Sequence, residues 1–246
     1  VFDAGGLLAD IFQSRAVTGR DNAAVSQGGT AWEGLICWYM NLVFWGTDVV
    51  VVRPHSKFVP TVVSDALSVT IQNVSTNTES DLIAFSIPSG LSSGSSDLKT
   101  INQLLTTNLS SVSACVIQCK TNWNDNSQIP MLWDLIYNST NFRVSNVSIG
   151  KNGVSPASFK RFAYSFVTVP TSRGSFETNS LPVLRVRGLS GGNYWGHPTK
   201  PGVARAVSDF FTSNFAVSFS GGVQQHIQSN LTRDPNLINK FTSLSF

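Results

Sequence analysis

Two apolar runs that lie far apart in the chain and end in polar side chains constrain the fold more than any other feature. Residues 114–119 read as a strand that runs out into Gln118-Cys119-Lys120, and Asp81 stands 37 residues before Gln118, at the head of a second apolar run, 81–87. Successive residues of a strand face opposite ways, so Gln118 and Lys120 point together, away from Cys115, Ile117 and Cys119. Polar groups that close an otherwise apolar strand call for a partner. A carboxylate, an amide oxygen and a lysine brought to adjacent strand ends can hold Mg²⁺ beside a phosphate and position an attacking water.

The surrounding pattern predicts the scaffold. Thr30-Ala31-Trp32-Glu33 reads as a capping box opening a helix over 30–45, with Leu35, Ile36, Trp38, Tyr39, Leu42 and Val43 on its apolar face and Gly46 ending it. The β-branched run 48–53 predicts a buried strand, 68–74 a second and 81–87 a third, closed by Pro88. The Ser/Gly-rich stretch 89–96 reads as a loop, followed by a helix over 98–109 built on Leu98, Ile101, Leu104 and Leu105. After the strand 114–119 come a polar turn, 121–127, and a helical stretch, 129–137, with Pro130 in its first turn. This order predicts an α/β fold, a central mixed β-sheet flanked by helices, in a single domain over 1–246. Further on, 159–169 and 183–186 read as strands, 188–196 is glycine-rich, and 201–214 predicts a helix with Val203, Ala206, Val207, Phe210 and Phe211 inward. The polar tail after Gly221 yields little.

Glu33 on an early helix, Asp81 entering one strand and Gln118-Cys119-Lys120 ending the next make the chain, over roughly residues 30–137, resemble the PD-(D/E)xK nuclease superfamily, which includes many Type II restriction endonucleases. The resemblance implies a restriction-endonuclease-like core and a Mg²⁺-dependent, sequence-specific cleavage of double-stranded DNA. It implies Asp81 as principal metal ligand, Gln118 as a second, Glu33 as the auxiliary carboxylate and Lys120 as the group that orients water and offsets developing charge. The chain departs from the family pattern in two places: no proline precedes Asp81, and Gln118 stands where an acid is usual. An amide oxygen binds Mg²⁺ more weakly than a carboxylate, and Glu79 is a candidate to compensate. Each residue also has a structural explanation, Glu33 in its capping box, Asp81 as a strand-entry turn residue and Lys120 as a solvated strand end.

Charge is unevenly spread in a way that fits the same expectation. Residues 1–150 carry 7 Lys/Arg against 11 Asp/Glu, whereas 151–246 carry 10 against 3. An acidic half suits a divalent metal and a basic half, centred on about 151–215, suits a phosphate backbone. Arg185 and Arg187 alternate with apolar neighbours, and with Arg173 and, nearby in sequence, Lys160 and Arg161 they are candidates to track phosphates. The run Gly188 to His197, with Asn193, Tyr194 and His197, and Lys200 just beyond it, has a composition suited to entering a DNA groove. Asn122 and Asn124, directly after Lys120, are candidates to contact DNA, although a turn and helix cap explains them too. A palindromic target would call for a homodimer.

Other classes fit less well. The longest apolar-rich segment, 35–44, is half the roughly 20 residues a membrane span needs and contains Asn41. No secretory signal pattern opens the chain, and three cysteines in apolar runs, Cys37, Cys115 and Cys119, read as buried free thiols, which favours a reducing compartment; the resemblance implies an intracellular, prokaryotic-type cytoplasm. Five Asn-x-Ser/Thr sequons decide nothing, since chance gives about four. Gly90-Leu91-Ser92-Ser93-Gly94 with His226 downstream formally matches a serine hydrolase, but Pro88 breaks the preceding strand early. A polar recognition module without catalysis, including a nuclease fold that has lost catalysis through Gln118, is the remaining alternative, in keeping with a charged fraction of 13%.

Overall fold

The computed structural model describes residues 22–76, 80–89, 97–120, 147–168 and 207–237, together with 177, 179–181, 184 and 194–196. In chain order the elements are α1 (Asn22–Phe44), β1 (Val49–Val52), α2 (Thr61–Ala66), β2 (Val69–Ile71), β3 (Val74–Thr76), β4 (Leu82–Ser86), α3 (Leu98–Asn108), β5 (Ser113–Lys120), β6 (Val147–Ile149), β7 (Arg161–Thr168), β8 (Tyr194–Gly196), α4 (Val207–Phe215) and α5 (Gly222–Arg233). Five strands form a mixed sheet in the order β1-β4-β5-β7-β8, the first three antiparallel and the last three parallel. A small antiparallel sheet, β3-β2-β6, lies beside it.

Helices cover both faces of the larger sheet, which is why its inner strands are apolar on both sides. Leu82, Ala84, Cys115, Ile117, Cys119 and Val167 pack with α1, α4 and α5, while Ile83, Phe85, Ala114, Val116 and Tyr164 pack with α2 and α3. Each fully buried side chain such as Leu82 or Ile117 contributes on the order of 1.5–3 kcal/mol relative to exposure. On the first face Phe44 meets Phe211 and Phe215 edge-on, at centroid separations of 4.8 and 5.3 Å. The outer edge of β1 is closed by a side chain: Asn41 of α1 donates to the Val51 carbonyl (2.7 Å) and accepts from the Val51 N–H (3.0 Å). That polar residue interrupts an apolar helix because it satisfies backbone groups an edge strand leaves open.

Local chemistry explains most boundaries. Asp97 caps α3 by accepting from the Thr100 N–H at 2.7 Å, and this bond holds its carboxyl below the usual range. Several expectations need correction. Helix α1 begins at Asn22, so Thr30 and Glu33 lie within it and do not form its cap. The run 68–74 is not one strand: Gln72 and Asn73 take positive φ (50° and 68°) and turn the chain between β2 and β3. The Leu184 N–H donates to the Ser180 carbonyl at 3.0 Å, a helical turn where a strand over 183–186 was expected. The polar tail contains α5, whose Val223 and Ile227 are buried. The helical stretch 129–137, the loop 90–96 and residues 201–206 lie outside the described residues. Among the described residues no helix is long and apolar enough to cross a membrane.

Candidate functional site

The antiparallel register of β4 and β5 pairs Leu82 with Ile117, so the residue before β4 and the next residue of β5 meet at the end of the sheet. These are Asp81 and Gln118. Asp81 Oδ2 accepts from Gln118 Nε2 at 2.5 Å and from the Cys119 N–H at 2.6 Å. The Gln118 side chain is fully buried and its Oε1 accepts from the Tyr164 hydroxyl at 3.1 Å. Tyr164 sits on β7 opposite Val116, a diagonal neighbour of Gln118 on the same face of the sheet. Because an ionised carboxylate only accepts, the Gln118 amide must present its nitrogen to Asp81, and this assigns the amide orientation. Charge-assisted bonds of this kind are short and roughly twice as strong as neutral ones.

Lys120 ends β5, one alternation beyond Gln118 and paired with Thr168 of β7. The sheet end thus brings together the backbones of Asp81, Gln118 and Lys120 and the side chains of the first two. Glu33 is placed differently. It lies on α1, on the other face of the sheet, with an oxygen 3.8 Å from Arg53, whose guanidinium also donates to the Thr30 carbonyl at 3.1 Å. Arg53 continues the alternation of Val49 and Val51, which face α1, whereas Gln118 shares its face with Ala114 and Val116. The sheet itself separates Glu33 from the amide of Gln118.

Sheet position also sorts the basic and loop candidates. Tyr194 of β8 lies in the row of Phe166 and Gln118, and Gly196 in the row of Thr168 and Lys120, so these last residues of the glycine-rich run sit at the end of the sheet that carries Asp81. Lys160 and Arg161 are exposed at the start of β7, the opposite end, roughly 20 Å away along an eight-residue strand. They are too distant to track the phosphate beside Asp81. Asn122, Asn124, Arg173, Arg185, Arg187, Asn193, His197, Lys200, Glu79 and Ser92 lie outside the described residues.

A hollow of about 150 Å³ is lined by Ser80, the residue before Asp81, with His55, Ser56, Ser64, Ser68 and Ile83 among others, and not by Asp81 or Gln118 themselves. It opens on the α2 side of the sheet, the side of Gln118. His226 serves elsewhere: its Nε2 lies 3.2 Å from the Trp45 carbonyl and 3.0 Å from Asn230 Nδ2, tying α5 to the end of α1, and its ring packs against Phe219 at 4.3 Å, tilted by 36°. Of the three thiols, Cys115 and Cys119 are buried, and burial pushes Cys37 up to about 11, Arg53 and Asn41 only partly offsetting it. Tyr164 is the site residue that sequence reasoning missed. Its signal was the alternation Phe162-Tyr164-Phe166 in a strand-like run, which sets a hydroxyl on the face where Gln118 needs one. Among the described residues no three His, Cys, Asp or Glu side chains converge as a metal site. No protein-family model matches this chain, and no curated protein matches it in sequence.

Proposed function

We propose that the Asp81 end of the sheet is the catalytic centre of a Mg²⁺-dependent DNA endonuclease of restriction type. One observation carries the reading: Asp81 and Gln118, 37 residues apart in sequence, meet through a side-chain hydrogen bond where two adjacent antiparallel strands end, with Lys120 one alternation further out. The donor chemistry fits Mg²⁺, which is commonly held by one or two carboxylates with water and substrate phosphate completing the shell. Asp81 supplies the carboxylate; Gln118 turns its amide nitrogen to Asp81 and its oxygen to Tyr164, so it holds the carboxylate in place and is not itself a ligand in this arrangement. Bound there, Mg²⁺ would act as a Lewis acid on the phosphate and lower the pKa of the attacking water.

The chain's own groups divide the remaining work. The Cys119 N–H holds Asp81 in place from the backbone, so the carboxylate needs little reorganisation when substrate arrives. Lys120 orients the water and offsets the charge that builds on the phosphate oxygens. The water oxygen forms a bond to phosphorus as the bond to the leaving sugar oxygen breaks, and the water's proton passes through solvent to that oxygen. The serine-lined hollow beside Ser80 leaves room for the sugar-phosphate on the Gln118 side. Glu33 has no part in this scheme, given its position with Arg53 on the other face.

A second reading has an observation in its favour. Asp81 Oδ2 is already met by two N–H donors and Gln118 is completely buried, the arrangement of a structural polar network in a non-catalytic recognition module. Cleavage of long duplex DNA, modified and unmodified, separates the two. Discrete fragments that require Mg²⁺, vanish in EDTA and are lost in Lys120→Ala and Asp81→Asn support the nuclease. A folded wild type that cuts none of these DNAs supports the recognition module.

A further inference from the structure

We propose that the serine-lined hollow beside α2 is a binding site for one neutral, hydroxyl-rich ring, a monosaccharide unit, held by the hydroxyls of Ser56, Ser64, Ser68 and Ser80 and by the ring of His55. Neither Asp81 nor Gln118 lines the hollow, so this site goes beyond the nuclease reading and stands independently of it. Three separate segments supply the polar groups: His55 and Ser56 from the loop after β1, Ser64 and Ser68 from α2 and the turn that follows it, and Ser80 from the approach to β4. Val59, Leu67 and Ile83, all buried, form an apolar wall between them. At about 150 Å³ the space is well below the roughly 300–1,000 Å³ of drug-sized pockets and suits a single small ring.

The hydrogen-bonding capacity of the lining decides the class of ligand. The hydroxyls of Ser56, Ser64 and Ser80 bond to no described residue, so each has a donor and two lone pairs to offer. Ser68 already donates to the Asp65 carbonyl at 2.9 Å and offers lone pairs alone. His55 is fixed by its own turn: its carbonyl accepts from the Phe58 and Val59 N–H groups at 2.8 and 3.0 Å, and its Nδ1 accepts from the Lys57 N–H at 3.1 Å. A ring nitrogen that accepts carries no proton, which assigns the tautomer: the imidazole is uncharged and Nε2–H is its remaining donor.

A lining that both donates and accepts, and carries no charge, matches sugar hydroxyls, which do the same. A phosphate or carboxylate only accepts, so it would face the Ser68 lone pairs with no lysine or arginine in the lining to offset its charge. A metal cation would find no carboxylate there. A purely apolar ligand would strip water from the serine hydroxyls and leave them without partners. A sugar ring also has an apolar C–H face, and the rim provides for it: Pro54 lines the hollow, and the exposed Phe58 holds its ring centre 5.9 Å from that of His55. Because the 55–59 turn is closed by its own hydrogen bonds, the rim needs little ordering when the ring enters.

The test is a solution NMR titration of the full chain, labelled with ¹⁵N and ¹³C, with glucose, galactose, mannose and N-acetylglucosamine as probes and sodium phosphate and thymidine as comparisons. At least one sugar should move the amide signals of Ser56, Ser64 and Ser80 and the ring signals of His55 together and saturably, at millimolar concentration, while phosphate and thymidine leave them in place. Ser64→Ala and Ser80→Ala should each weaken that sugar about fivefold, the loss of one hydrogen bond, and Phe58→Ala should weaken it by a similar factor of about five. Ser64 and Phe58 are exposed, so their variants should keep the wild-type spectrum away from the hollow. Sugar binding that none of the three variants weakens puts the sugar elsewhere and refutes the site. Signals that move with phosphate or thymidine but with no sugar give the hollow to an anion or a nucleoside instead, and signals that no probe moves refute a ligand site there altogether.

Discussion

Replacing Gln118 by glutamate sets a second carboxyl against Asp81, where the native amide nitrogen now donates at 2.5 Å inside a fully buried pocket. The lost bond is charge-assisted, worth about 1.5–3 kcal/mol, and a buried carboxylate pair without a counterion costs about 3–5 kcal/mol. Taking about 3 kcal/mol, and about 2–4 °C per kcal/mol for a chain of this size, Gln118→Glu should lower the Tm in EDTA at pH 8 by roughly 6–12 °C. The pair can relieve itself by keeping one proton, so the folded pKa of the introduced carboxyl lies above its unfolded value of about 4.3. The sign follows: the folded state binds the proton more tightly, so the penalty is largest above the folded pKa and shrinks as pH falls toward the unfolded pKa. A divalent cation relieves the same repulsion, and binding at a hundred times its Kd returns about 2.7 kcal/mol. Differential scanning fluorimetry at pH 8 and pH 5.5, with EDTA and with MgCl₂, reads all four conditions. A Tm in EDTA at pH 8 equal to wild type would refute the Asp81–Gln118 contact. A loss that pH 5.5 restores and MgCl₂ does not would refute the cation site.

Other outcomes follow from single contacts. Asn41→Ala removes two hydrogen bonds to the Val51 backbone at the open edge of β1, leaving its carbonyl the weak Cys37 thiol at 3.5 Å, and should cost about 2–3 kcal/mol by urea denaturation, with no change beyond that in any DNA-directed activity. Lys120→Ala should reduce DNA cleavage by about 10²-fold or more while shifting stability by less than about 0.5 kcal/mol, measured by single-turnover cleavage and by the urea midpoint. With its pKa pushed up to about 11, Cys37 should hold only about 0.1% thiolate at pH 8 and resist iodoacetamide, reacting faster as pH rises toward 11; rapid alkylation at pH 7 in the folded protein, read by mass spectrometry, would contradict its burial.

Much of the scaffold was legible in the chain because its signals are local. The β-branched run of β1, the apolar runs of β4 and β5 and the Asp97-capped helix α3 each fall within two residues of the expected bounds. Local signals failed where a stronger competing cue was present or a weak one was overlooked. The capping-box pattern at Thr30 sits inside a longer helix, and Gln72-Asn73 turns a chain that composition alone reads as one strand. Helix α5 carries Val223, Ile227 and Leu231 at helical spacing, a cue diluted by its polar neighbours.

The sequence by itself determined which side chains a strand end offers: the period of two commits Gln118 and Lys120 to one face and Cys115, Ile117 and Cys119 to the other. Only the tertiary structure decided what those side chains meet. The Leu82–Ile117 register brings Asp81 to Gln118, the parallel pairing of β7 brings Tyr164 beneath the same amide, and the packing of α1 on the opposite face takes Glu33 to Arg53. Alternation is a property of one strand's backbone, but register, strand order and the choice of face are set by hydrogen bonds and apolar burial between segments far apart in the chain, and no local pattern encodes them.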